Sequence, residues 1–143
     1  MPETRRIRVL IADDFKLLRD VIRHHLERAD DLEVIDEARD VTDALESARA
    51  LRPGVIIMND YLPPIDSAHA SALFREQGLT AAILVISMQI DPAQIQSSFL
   101  SGANGFINKA EIDEHLVEAV RSVHRGERYL SPEARDAYSS IEQ

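Results

Sequence analysis

Four apolar residues, Val55-Ile56-Ile57-Met58, run straight into Asn59-Asp60-Tyr61-Leu62 and then into Pro63-Pro64. A short continuous apolar run bounded by turn residues reads as a strand buried on both faces, as in a parallel sheet. Its polar end then lies at the carboxyl edge of that sheet, where open α/β folds hold their ligands. Asn59 or Asp60 therefore faces a site. One is an amide and the other an acid, so the chemistry of the site depends on which of them it is.

The pattern repeats along the chain. Residues 7–12 are β-prone and apolar and end in Asp13-Asp14. Residues 32–35 read as a second strand, 82–86 as a fourth ending in Ser87, and 106–108 as a short fifth ending at Lys109. Helical spacing of Leu18, Val21, Ile22, His25, Leu26 and Ala29 predicts a helix over 15–29. Asp40 or Thr42 caps a second helix with Leu45, Ala48 and Leu51 on one face, broken by Pro53-Gly54. Pro63-Pro64 predicts an extended loop. A third helix runs over 67–77 to Gly78. Asp91 caps a fourth, with Pro92 at its first position. Gly102 and Gly105 flank a turn, and a fifth helix covers 112–124. His24-His25 reads as one edge-of-core and one solvated histidine. The tail after Gly126 is polar and carries no clear pattern. Strands alternating with helices five times imply parallel βαβ units with right-handed crossovers: an α/β fold, (βα)5, doubly wound around a five-stranded parallel sheet.

Composition narrows the function. A net charge of −9 argues against direct nucleic-acid binding by this chain, because that needs Lys and Arg against phosphates. With no cysteine there is no disulfide framework and no thiolate metal site. No apolar stretch reaches membrane-spanning length and no signal-peptide pattern opens the chain, so a cytoplasmic protein with no membrane partner is expected. Only Lys16 and Lys109 are lysines. A lysine directly after an apolar strand suggests a compact point charge placed at a site.

In a sheet of this kind the strand ends share one rim. There stand Asp13 and Asp14, Asn59, Ser87 and Lys109. Two adjacent carboxylates suit Mg²⁺, a hard cation that takes few protein oxygens and keeps several waters. A hydroxyl and an ammonium suit phosphoryl oxygens. A central carboxylate could accept phosphate as an acyl phosphate, whereas an amide cannot.

These pieces together resemble a receiver domain of a two-component response regulator, which implies a flavodoxin-like, CheY-like fold. The resemblance rests on Leu10 through Asp14, Val55 through Pro64, Val85-Ile86-Ser87, and Gly102 through Lys109. It covers residues 7 to about 125. The run Arg125 to Pro132 is similar to the linker that precedes a LuxR/NarL-type helix-turn-helix output domain. Residues 1–126 are accordingly expected to be the receiver, and 127–143 a linker or tail toward an output domain that this sequence does not include.

The resemblance implies roles for single residues. The family's phospho-accepting aspartate lies four residues before the loop proline, and counting back from Pro63 gives Asn59. Asp60 would need a register shift of one, turning its side chain to the other face. Asp13 and Asp14 match the metal-binding pair, so Mg²⁺ is expected on Asp13, Asp14 and residue 59, weakened by the amide. Ser87 matches the switch hydroxyl, Lys109 the phosphate-contacting lysine and Phe106 the switch aromatic. Tyr61 and Met88 match variable positions that tune phosphoryl lifetime. Ser67 stands where glycine is usual. Ala110 stands where proline is common, so a cis peptide after Lys109 is not expected.

The implied function is phosphorelay signalling and transcription regulation, without enzymatic turnover. A histidine kinase would be the donor, an own or separate DNA-binding output domain the reader, and a homodimer a further partner. Phosphorylation would draw Ser87 to the phosphoryl oxygens with Phe106 following inward. With Asn59, engineered from Asp or natural to an atypical receiver, the chain is not phosphorylatable and is expected near its resting state. A phosphorylation-independent pseudo-receiver, acting as a protein-binding or dimerisation module, is the alternative. A hydrolase with Asp13 as nucleophile is disfavoured by the lack of a glycine-rich phosphate loop.

Overall fold

The computed structural model describes residues 5–139. The expected repeats are present: β1 (Ile7–Ala12), α1 (Lys16–Glu27), β2 (Leu32–Ala38), α2 (Val41–Leu51) and β3 (Val55–Asn59) come first. They are followed by a small hairpin, β4 (Tyr61–Leu62) and β5 (Ile65–Asp66). Then come α3 (Ser67–Glu76), β6 (Ala82–Ser87), α4 (Pro92–Leu100), β7 (Gly105–Asn108) and α5 (Ile112–His124). The chain continues into β8 (Tyr129–Leu130) and α6 (Pro132–Ser139). The main sheet is parallel, with order β2-β1-β3-β6-β7-β8. The strand order reverses at β1, between β2 and β3, and the carboxyl ends at such a reversal are where open α/β sheets hold their ligands.

Alternation sorts the core into two layers. Leu10, Ala12, Ile56, Met58, Ile83, Val85 and Phe106 face one side, against Ala44, Ala48, Phe74, Ile95, Phe99 and Ala134 of α2, α3, α4 and α6. Val9, Ile11, Val55, Ile57, Leu84, Ile86 and Ile107 face the other, against Ile22 and Leu26 of α1 and Leu116, Ala119 and Val120 of α5. Both faces of β3 are therefore dry, which is why its residues 55–58 are all apolar.

Helix starts follow the acids. The side chains of Asp40, Asp66 and Asp91 accept from the backbone N–H of Asp43, His69 and Ala93 at 2.8, 2.8 and 2.9 Å, each satisfying a donor the first turn leaves open. Gly78, at φ +81, ends the α3 segment in a conformation L side chains rarely adopt. His25 is partly buried with Nε2 2.8 Å from Asp113 Oδ1, while His24 is exposed.

Three regions depart from the expectations. Pro63-Pro64 does not form an extended loop. It is the tip of the β4–β5 hairpin, with the Pro63–Pro64 peptide cis, and the Pro63 carbonyl accepts the Val41 N–H at 2.9 Å. The fifth strand of the repeat, β7, begins at Gly105, one residue earlier than expected. A Cβ there would lie 2.8 Å from Val123 Cγ1 and 2.9 Å from Leu84 Cδ1, so only glycine lets α5 and β6 approach this strand. The tail is ordered where the sequence shows no pattern: Tyr129 and Leu130 pair with Gly105 and Phe106 as a sixth strand, and α6 follows. The first four residues of the 1–126 unit and the last four of the 127–143 tail lie outside the described residues. Among the described residues, no helix is long and apolar enough to cross a membrane.

Candidate functional site

Asp13 directly follows β1 and is 2% exposed. Its Oδ1 accepts the Phe15 N–H at 2.8 Å, its carbonyl accepts from Arg19 Nη1 at 2.7 Å, and its own N–H donates to the Ala38 carbonyl at 2.9 Å. Burial pushes the Asp13 carboxyl above its ordinary range. The Phe15 N–H and the charges of Lys109 and Arg19 pull it down without cancelling that rise, and Asp14 adds to it. A carboxylate so placed gains from any cation that reaches it. Asp14, beside it, is exposed.

Asn59 ends β3. Its Nδ2 donates to the Tyr61 carbonyl at 2.9 Å. That bond fixes the amide orientation and leaves Oδ1 buried with no hydrogen-bond partner. An orphaned buried acceptor is rare, because losing water without a replacement costs about 1–3 kcal/mol. Continuing each strand's alternation, Asn59 and Asp13 fall on the α1/α5 side of the sheet.

Asp60 falls on the opposite side, with Ser87 and Phe106. No register shift is involved: Asn59 is opposite Ile86, and the Asp60 N–H donates to the Ile86 carbonyl at 2.9 Å. Asp60 Oδ2 accepts from Ser87 Oγ at 2.8 Å. Ser87 is completely buried, accepts the Gln89 N–H at 3.0 Å, and lies 2.9 Å from the Gln89 carbonyl. Phe106, opposite Val85, is likewise completely buried.

Lys109 begins a 3-10 turn (Lys109–Glu111) after β7 and is half-buried. Its carbonyl accepts the Ile112 N–H, but among the described residues its side chain makes no hydrogen bond or ion pair, and its charge pulls the Asp13 carboxyl down. The peptide after it is not cis. Tyr61 and Met88 are 49% and 76% exposed. No group of three or more His, Asp or Glu stands together as metal ligands among the described residues.

Several residues that shape the site escaped the sequence reading. Arg19, 8% exposed, joins the Asp13 carbonyl to Glu37 Oε1 (2.8 Å), and Arg23 Nε holds the other Glu37 oxygen at 2.8 Å. Asn108 donates its N–H to Ser131 Oγ at 3.0 Å and its side-chain amide to Glu133, so the tail grips the residue before Lys109. The Asp60–Ser87 bond had a readable signal: both residues follow an apolar strand on the same alternation phase.

Comparison with known proteins fits this geometry. The family model described as the response regulator receiver domain matches residues 9–121. The chain is similar to the oxygen regulatory protein NreC of Staphylococcus carnosus, 34% identical over 127 residues, covering 88% of this chain and 58% of that protein. It is similar to the response regulator GacA of Pseudomonas aeruginosa, 34% identical over 128 residues, covering 89% and 59%. The chain thus spans just under three fifths of the length of these relatives. Among solved structures, it superimposes on a LuxR-family two-component response regulator from Aurantimonas sp. SI85-9A1 with a TM-score of 0.91 at 26% identity, covering 96% and 98% of the two chains. It superimposes on the receiver domain of the putative response regulator NarL from Mycobacterium tuberculosis with a TM-score of 0.81 at 30% identity, covering 85% and 98%. With a doubly wound sheet, an acid pair at the first strand end and a hydroxyl and lysine on the same rim, the chain belongs to the response regulator receiver domain family, in its NarL/LuxR-type branch.

Proposed function

We propose that this chain is a receiver whose acceptor position, Asn59, takes no phosphoryl group. One observation carries the reading. The Asn59 side chain turns its nitrogen to the Tyr61 carbonyl and leaves a single neutral oxygen, buried and without a partner. Acyl phosphate formation needs a carboxylate oxygen to attack phosphorus while the donor's P–N or P–O bond breaks. An amide oxygen has neither the charge nor a free valence for it.

The pocket is otherwise equipped. Mg²⁺ fits the donor set, because an orphaned buried oxygen and a desolvated carboxylate are hard-oxygen ligands lacking a cation. Asp13, Asp14 and Asn59 Oδ1 would hold it, and when bound it would neutralise charge on an incoming phosphoryl group. Lys109 supplies a second positive charge. In an acceptor-competent form the donor would be a histidine kinase. The reader would be a DNA-binding output domain, own or separate, and the face formed by α4, β7 and α5 is where a partner or second copy would respond. A cytoplasmic location accords with this role. The alternative, a pseudo-receiver that works by protein contact alone, is favoured by the capture of Ser87 by a residue of the chain itself.

The deciding experiment is intact mass after incubation with Mg²⁺ and a small phosphodonor, on this chain and on Asn59→Asp. A phosphate adduct only on Asn59→Asp is expected. An adduct on the chain as it stands overturns the reading. Absence of an adduct on both favours the contact-only alternative.

A further inference from the structure

The rim of the sheet carries a second polar device, on the face opposite the acid pocket. Asp60, Ser87, Phe106 and Asn108 share that face by alternation, and each is tied to the next element. Ser87 Oγ has one proton and two acceptors within reach, Asp60 Oδ2 at 2.8 Å and the Gln89 carbonyl at 2.9 Å. A hydrogen bond to an ionised carboxylate is about twice as strong as one to a neutral carbonyl, so the proton goes to Asp60. The Gln89 N–H donating to Ser87 Oγ then draws the β6–α4 loop toward β3. Phe106 is completely buried, in one apolar cluster with Val85, Ile95, Phe99, Ala134, Leu130 and Tyr138. The tail closes over it: Leu130 is opposite Phe106, the Ser131 N–H donates to the Phe106 carbonyl at 3.1 Å, and the Phe99 ring meets Tyr138 edge-on at 5.7 Å.

We propose that the Asp60 carboxylate is a built-in anionic partner of Ser87, holding the switch hydroxyl drawn in, Phe106 inward and the β8–α6 tail docked without any phosphoryl group. The bond holds Ser87 on the face opposite residue 59, so the hydroxyl is already occupied there by a group of the chain itself. This inference rests on the reading of the chain as a receiver that takes no phosphate at Asn59. It concerns a different residue, on a different face, and has its own test. Asp60 acts as a positioning residue through Ser87.

The test is amide hydrogen exchange by mass spectrometry on the chain and on Asp60→Asn, Asp60→Val, Ser87→Ala and the Asp60→Val/Ser87→Ala pair. Peptides from 104–110 and 127–139 report the device, and peptides from β1 and β2 serve as internal reference. Asp60→Val and Ser87→Ala are each expected to speed exchange in 127–139 by roughly tenfold or more, with the reference unchanged, as loss of one charge-assisted bond predicts. The double variant should go no further than either single one, because both remove the same bond. Unchanged protection of 127–139 in Asp60→Val with an intact reference overturns the proposal. If Asp60→Val loosens the reference as well, Asp60→Asn decides: faster exchange confined to 104–110 and 127–139 supports the device, and wild-type exchange there overturns it. A phosphate adduct on the unaltered chain would sink the Asn59 reading and leave the exchange result standing.

Discussion

The two faces of the sheet meet the rim in opposite conditions. On the α1/α5 side, polar groups are buried and unmet: the Asp13 carboxyl is desolvated and Asn59 Oδ1 has no partner. On the α3/α4/α6 side the strand-end groups are satisfied from within, Ser87 by Asp60 and Gln89 and Asn108 by Ser131 and Glu133, while the hydroxyls of Ser67, Ser71 and Ser98 on the covering helices are buried without a partner. The first arrangement carries a cost of burial that an external cation would relieve. At the strand ends of the second, Ser87 and Asn108 have met their own requirements. A site that senses is built from groups left short, and a site that holds is built from groups made whole. This chain places one of each a single residue apart, at Asn59 and Asp60.

Three variants would break or sharpen that contrast. Phe106→Ala should have the largest effect. If the satisfied face is packed as a core, emptying this fully buried position costs about 3–5 kcal/mol in urea unfolding. A loss below about 1 kcal/mol would mean that Phe106 is loosely held and the contrast fails. Arg19→Met comes next. It strips a partner from Glu37 and from the Asp13 carbonyl, and about 2–3 kcal/mol of stability should go with it at neutral pH.

The Arg19 effect should also carry a pH signature. Burial pushes the Glu37 carboxyl up, but hydrogen bonds from Arg23 and Arg19 outweigh it and hold it below its ordinary value of 4.5. A carboxyl lowered in the folded state stabilises the fold fully above its ordinary value, and loses that contribution as pH falls through the lowered one. The gap between the chain and Arg19→Met should therefore narrow in acid, measured by urea titration above and below pH 4.5. A gap constant with pH would mean that Arg19 acts through packing alone. Glu133→Ala should be the mildest change, about 1 kcal/mol, because Asn108 keeps its bond to Ser131 and loses only its side-chain partner. Thermal unfolding resolves it, and a larger loss would show that the tail is the main support of this face.

What the sequence made legible follows from the range of the interactions involved. Local signals read true: Asp91 before Pro92 is a cap, Asp40 rather than Thr42 caps α2, and the apolar run at 55–58 is a strand dry on both faces. The rim residues Asp13, Ser87 and Lys109 could be placed because each terminates or follows a recognisable strand, and Phe106 because it lies within one. Interactions across long separations could not be read. Tyr129-Leu130 is too short to show a period, and it is a strand only because β7 offers an edge. Arg75 donates to the carbonyls of Leu79, Ala81 and Gly102 and to Asn104 Oδ1, welding α3 to two loops, yet in sequence it is one arginine on an amphipathic helix. Asp60 lay between. Its face was given by alternation, but its meaning depended on the β3–β6 register.

The sixth strand has one more consequence, for how this molecule meets copies of itself. By lying along β7, the tail takes up a ladder of N–H and C=O groups that would otherwise invite a foreign strand. Among the described residues, that leaves the two-residue β8 at one margin of the main sheet and β2 as the longer open margin. It carries Glu33, Asp36 and Glu37, and its pairing with β1 slips by one residue between Val9 and Leu10. Like charges and a broken register make it a poor template for another strand. One margin is thus guarded by charge and the other by the chain's own end, so crowding of this protein should not seed sheet-to-sheet growth while the tail stays in place.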